Sequence, residues 1–149
     1  MRIGPIANPA ALFAPFCALA LTALLSAACS QTPSQQMPAA RLYAIDQTGG
    51  AKSCIAASTQ LIDGKPANIP MSVGNDGGWC GVTLVRADGP YSAGLLTARP
   101  AHGRVYIHTV GSVTRIDYTP AAGYSGTDSF TVKMVPGDAT ASISVTVAK

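Results

Sequence analysis

Few side chains in this sequence are of a type and at a spacing that chemistry could use. Gly123-Tyr-Ser125-Gly126 sets a serine beside glycines, but a nucleophile elbow needs Gly-x-Ser-x-Gly at a strand-to-helix turn that exposes a strained hydroxyl. Ser125 therefore reads as a loop residue. His102 and His108 are the two histidines, the residue type best suited to proton transfer, and neither has a carboxylate placed by sequence to orient it. His102 falls in an Ala-His-Gly turn and His108 on the polar side of a strand, an ordinary place for a surface histidine. Of the four cysteines, Cys54 and Cys80 lie in the body of the chain with no further Cys or His at ligand spacing. In an oxidising compartment such a pair reads as a disulfide. What remains suits binding rather than catalysis: the single tryptophan, Trp79, and the tyrosines Tyr91 and Tyr106. Trp79, in Gly-Gly-Trp-Cys-Gly, either packs on the Cys80 disulfide in the core or stands on a loop for a partner, where Trp is favoured at hot spots. No catalytic, cofactor-binding or metal residue is expected.

Composition narrows the elements that must position these groups. The chain has 15 Gly, 11 Pro, 11% charged residues and no Glu, which argues against an exposed amphipathic helix and for an all-β domain. Its formal charge of +3 includes Arg2 near the start. Such a charge is too weak and too scattered for a nucleic-acid surface.

Residues 1–28 read as a secretory signal, with Arg2 as the basic end and an apolar run from Ala10 to Ala28. Export follows. The run is long enough to span a bilayer, but the small residues Ser26, Ala27 and Ala28 favour cleavage. Leu25-Ser-Ala-Ala-Cys29 resembles a bacterial lipobox, with the leucine four places before the cysteine rather than three. Cys29 is thus a lipidation candidate, with ordinary cleavage and a retained anchor as alternatives. Residues 29–40, polar and Pro-containing, read as a flexible spacer, leaving residues 41–149 as one domain of sandwich size.

Within that domain a hairpin can be derived from its residues. Gly111-Ser112 separates two alternating runs, and glycine at the first central position suits a two-residue type II′ turn. The turn sets Val110 opposite Val113, Thr109 opposite Thr114, Ile107 opposite Ile116 and Val105 opposite Tyr118. His108 faces Arg115 and Tyr106 faces Asp117 on the polar side. A one-residue slip would turn Ile107 and Ile116 to water. Further strands are expected at Arg41 to Ile45, Cys54 and Ile55, Ala67 to Ile69, Gly81 to Val85, Gly94 to Thr97, Asp128 to Met134 and around Ile143 to Val147. Asp88-Gly-Pro90 is a turn. The loop at Pro136-Gly-Asp138 is expected to pair Val132 with Ile143 and Phe130 with Val145. About eight short strands with regular turns point to a Greek-key β-sandwich.

The run YTPAAGYSGTDSF, from Tyr118 to Phe130, with the strand before it, resembles the C-terminal half of bacterial Ig-like and cadherin-like repeats; Asn75-Asp76-Gly77 echoes their first Asn-Asp turn. Val132 stands where those repeats commonly carry Tyr, and Gly77, Gly78 and Trp79 stand where they carry acidic residues. The resemblance implies an immunoglobulin-like sandwich, with Asp128 accepting backbone N–H bonds at a turn. A calcium site is not expected, because Asp76 lacks the acidic neighbours such a site needs. It also implies a structural or binding module at the bacterial envelope, in the periplasm or on the outer membrane, or secreted. The expected partner is an envelope protein or glycan, with contact to the membrane through an N-terminal lipid. An accessory or inhibitory subunit of an envelope complex is the alternative, and a hydrolase a remote one.

Overall fold

The computed structural model describes Arg41 and residues 43–149. The expected signal over 1–28, the spacer over 29–40 and Cys29 lie outside the described residues. In chain order the strands are β1 (Cys54–Ala56), β2 (Ser58–Thr59), β3 (Pro66–Gly74), β4 (Cys80–Leu84), β5 (Ala93–Ala98), β6 (Gly103–Val110), β7 (Val113–Pro120), β8 (Gly126–Val135) and β9 (Thr140–Ala148). They form two sheets, one in the order β1-β3-β9-β8-β5 and one in the order β2-β4-β7-β6. The domain is all-β, with nine strands among the described residues where about eight were expected.

The hairpin forms in the derived register, from Val110 opposite Val113 to Val105 opposite Tyr118, and Gly111 takes a positive φ of 58°. Alternation then does the rest. Val105 and Ile107 pack against the core, while Ile116, Tyr118, Val82 and Leu84 belong to it, facing Phe130, Val132, Ile143 and Val145 of the other sheet. Two expectations are corrected. Among the described residues from Arg41 to Ile45 no strand forms; Ala44–Gln47 is a 3-10 turn, closed by the Tyr43 N–H on the Asp46 carboxylate at 2.9 Å. The β8–β9 register is shifted by two residues, with Phe130 opposite Ile143 and Val132 opposite Ala141. The loop closes earlier than pattern suggests, since the Met134 N–H reaches the Ala139 carbonyl at 2.8 Å. A two-residue shift preserves the inward face, so the same side chains enter the core.

Cys54 and Cys80, 26 positions apart in the sequence, are joined by a disulfide. Closing a loop of that length stabilises the fold by about 3 kcal/mol in the chain-entropy model. Reduction, or Cys54→Ser with Cys80→Ser, is expected to lower the urea midpoint accordingly; an unchanged midpoint would show that the crosslink contributes nothing.

Asp128 ties both sheets to the β5–β6 turn. Its carboxylate accepts the N–H groups of Ala101 at 2.9 Å, His102 at 2.8 Å and Ser129 at 2.8 Å, and the Tyr118 hydroxyl at 2.8 Å. Partial desolvation works to raise its pKa, but the four donors together outweigh it and hold the carboxyl below the usual range. Burial, joined by the Asp128 hydrogen bond, pushes the Tyr118 hydroxyl well up. A depressed folded-state pKa gives stability that is present above the ordinary carboxylate range and lost as pH falls through the folded value. Thermal melts from about pH 5 to pH 3 should therefore show a smaller fall for Asp128→Asn than for the parent. Equal slopes would remove Asp128 from the acid transition.

Candidate functional site

The outer face of the β4-β7-β6 sheet is where the sequence-derived aromatics and the unexpected charges meet. On β7, Arg115 and Asp117 point away from the sandwich core yet are each only 6% exposed. The guanidinium forks onto the carboxylate, with Nε 2.8 Å from Oδ1 and Nη2 donating to Oδ2 at 3.0 Å. His108 Nε2 lies 2.9 Å from the same Oδ2. Above the pair passes the chain from Arg41 to Gly50: the Arg41 N–H reaches Ser112 Oγ at 3.3 Å, Arg115 donates to the Asp46 carbonyl, and Gly50 bridges to Trp79. The segment expected to be a strand instead leads into a cover whose Asp46 carbonyl accepts one N–H of the buried guanidinium.

Gly81 makes room for this arrangement. It sits opposite Asp117 in the ladder, and a Cβ there would come within 2.5 Å of Asp117 Oδ1 and 3.0 Å of Arg115 Cδ. Nearer the hairpin turn the same face holds a small buried cluster of Val85, Val110 and Val113.

Trp79 does not pack on the disulfide. Neighbouring residues on a strand point to opposite faces, so the buried Cys80 sends Trp79 outward. There it is half-buried, with the Arg115 guanidinium 3.9 Å over its ring and its indole N–H donating to the Thr48 carbonyl at 3.0 Å. Tyr91 is corrected as a surface candidate: it is 5% exposed and part of the core. Its N–H donates to Thr114 Oγ1 at 2.8 Å. Tyr106 is 65% exposed, on the outer face with its ring 4.5 Å from that of His108. The sheet thus brings Trp79 and Tyr106 to one face, linked through Arg115, Asp117 and His108, and leaves Tyr91 out.

His108 and Asp117 form the pair that a hydrolytic site would use, but Arg115 occupies both oxygens of the carboxylate. Among the described residues no hydroxyl or thiol hydrogen-bonds to His108. The network braces the sheet and holds Tyr106 beside it. Among the described residues no group of three or more His, Cys, Asp or Glu is placed to hold a metal ion. Hairpin register already made His108 and Asp117 diagonal neighbours; that was the available signal for this pair.

A family model described as a bacterial Ig domain matches residues 53–148. The chain belongs to the bacterial Ig domain family. Among solved structures, the cysteine protease inhibitor EhICP2 from Entamoeba histolytica is similar at 14% identity and a TM-score of 0.29, with 62% of this chain and 96% of the inhibitor covered. No curated protein matches the chain. In this Ig domain no described helix is long and apolar enough to cross a membrane.

Proposed function

We propose that the chain is an exported bacterial envelope protein whose Ig domain is a binding or structural module, held to a membrane by a lipid on Cys29 and engaging its partner through the outer face of β6 and β7. Tyr106 carries this reading. A tyrosine ring exposed to 65% on a strand fixed by a buried ion pair offers contact area at little cost in ordering, as interface anchors do. Tyr43 and Ile45, exposed on the covering segment that crosses the same sheet, extend the apolar surface. The signal-like leader and the lipobox-like residues before Cys29 support export and anchoring.

Photo-crosslinking in intact cells from a reactive residue at position 43 or 45, followed by envelope fractionation, tests the face. A discrete crosslinked partner that disappears with Tyr106→Ala supports it, and an unchanged crosslink places the contact elsewhere. Cys29→Ser should release the domain in soluble form, whereas parent protein that is already soluble and free of lipid would mean that Cys29 is not acylated.

A further inference from the structure

We propose that the corner between β5 and β6 binds a carboxylate-bearing peptide segment of the partner, its acid held by Arg99 and Arg104 and its backbone by the free edge of β6. Arg99, Arg104, Leu96, Pro100, Gly103 and Val105 line one cavity of about 320 Å³. The guanidinium-bearing residues are both exposed. Among the described residues, the ion contacts are Arg86 with Asp88, His108 and Arg115 with Asp117, and Lys133 with Asp138, so neither arginine has a carboxylate partner. Asp128, at the foot of the same turn, is already engaged by four donors. Two arginines lining one cavity whose other lining residues are uncharged are complementary to an acid from outside, and the guanidinium fork suits a carboxylate.

The floor and rim of the cavity choose among acids. Leu96 and Val105 are half-buried and pack against the core, giving an apolar seat for a side chain next to the acid. Among the described residues β6 ends its sheet, so half of its backbone groups lack a strand partner there. Antiparallel pairing alternates, and the His102 carbonyl accepts the Ala121 N–H at 2.8 Å. Even-numbered residues therefore face β7, while Gly103, Val105 and Ile107 present their N–H and C=O groups to the open edge. An extended peptide can add to such an edge, its backbone giving affinity and its side chains specificity. A lipid surface is the poorer match, since anionic membranes are held by clusters of about four to eight basic residues, and this corner has two.

The inference rests on the reading of the domain as a binding module. Its test uses full-length protein in nonionic detergent and a labelled six-residue peptide alternating leucine and aspartate, followed by fluorescence anisotropy. Saturable binding is expected that weakens with added salt and falls about tenfold or more in Arg99→Gln/Arg104→Gln. The Val105 and Ile107 amides should exchange more slowly when peptide is bound, a change that charge attraction alone would not give. Both arginines are exposed, so melts should confirm that the variant is folded. Equal binding by the double variant, absence of saturation up to roughly 1 mM, or, in detergent-free Cys29→Ser protein, binding of phosphatidylglycerol vesicles that depends on Arg99 and Arg104 overturns the proposal. If any of these occurs while the Tyr106-dependent crosslink persists, the peptide site falls and the binding-module reading stands.

Discussion

Truncating Phe130 to alanine is expected to cost the domain about 3–5 kcal/mol, the range for deleting a buried aromatic. The ring is 1% exposed, and it lies parallel to the Tyr118 ring of the opposite sheet with centroids 5.8 Å apart. Its removal takes away a contact that bridges the two sheets, beside the Tyr118 hydroxyl bonded to Asp128. A domain of this size has only about 5–15 kcal/mol in all, so the variant should be partly unfolded at growth temperature. Urea melts give the figure, with Ser129→Ala on the exposed side of the same strand as a control expected within about 0.5 kcal/mol. A Phe130→Ala loss no larger than the control's would mean that the ring is not where the two sheets meet.

Arg115→Ala should be comparably severe, about 3–5 kcal/mol, because it leaves the Asp117 carboxylate buried without its cation. Replacing both partners, Arg115→Met with Asp117→Leu, is expected to recover most of that loss, since two apolar side chains of similar volume need no counter-charge. Chemical denaturation of the two variants distinguishes a buried ion pair from a surface one. If Arg115→Ala were to cost under about 1 kcal/mol, the pair would be behaving as a solvated contact. His108→Ala sits between these cases, at about 1 kcal/mol for the hydrogen bond to Asp117, rather than the negligible value that a strand-surface histidine suggests.

Where two independent local signals agreed, the structure was legible in the sequence. The β6–β7 hairpin combined a glycine suited to a positive φ with alternation that tolerated no slip, and every pair came out as read. β8 and β9 had alternation but a loop without a defined length, and their register moved by two residues while the faces stayed the same. At Arg41 to Ile45 alternation misled: Leu42 and Ala44 flank Tyr43 as they would in a strand, but the Asp46 carboxylate captures the Tyr43 N–H and closes a turn. Tyr91 reads as a surface residue, but its N–H bonds Thr114 on a distant strand and its side chain joins the core, which no local pattern reports. For Trp79, alternation with the buried Cys80 contained the answer, and proximity in sequence to a half-cystine obscured it. The buried Arg115–Asp117 pair was hidden because a polar strand face reads as solvated unless the covering segment is known.

The pairing of β3 with β9 has a mechanical consequence. These strands run parallel over nine rows, from Pro66 opposite Thr140 to Gly74 opposite Ala148. Tension between Arg41 and Lys149 enters on one side through Cys54, whose disulfide passes it to Cys80 and leaves β3 inside the crosslinked loop. On the other side it pulls along β9. Cys54 lies opposite Val73 and Val73 opposite Val147, so both loads act at one end of the sheet, and the β3–β9 and β8–β9 ladders open row by row from that end. Under such a pull β9 yields first, while the crosslink keeps residues 54 to 80 joined as one loop.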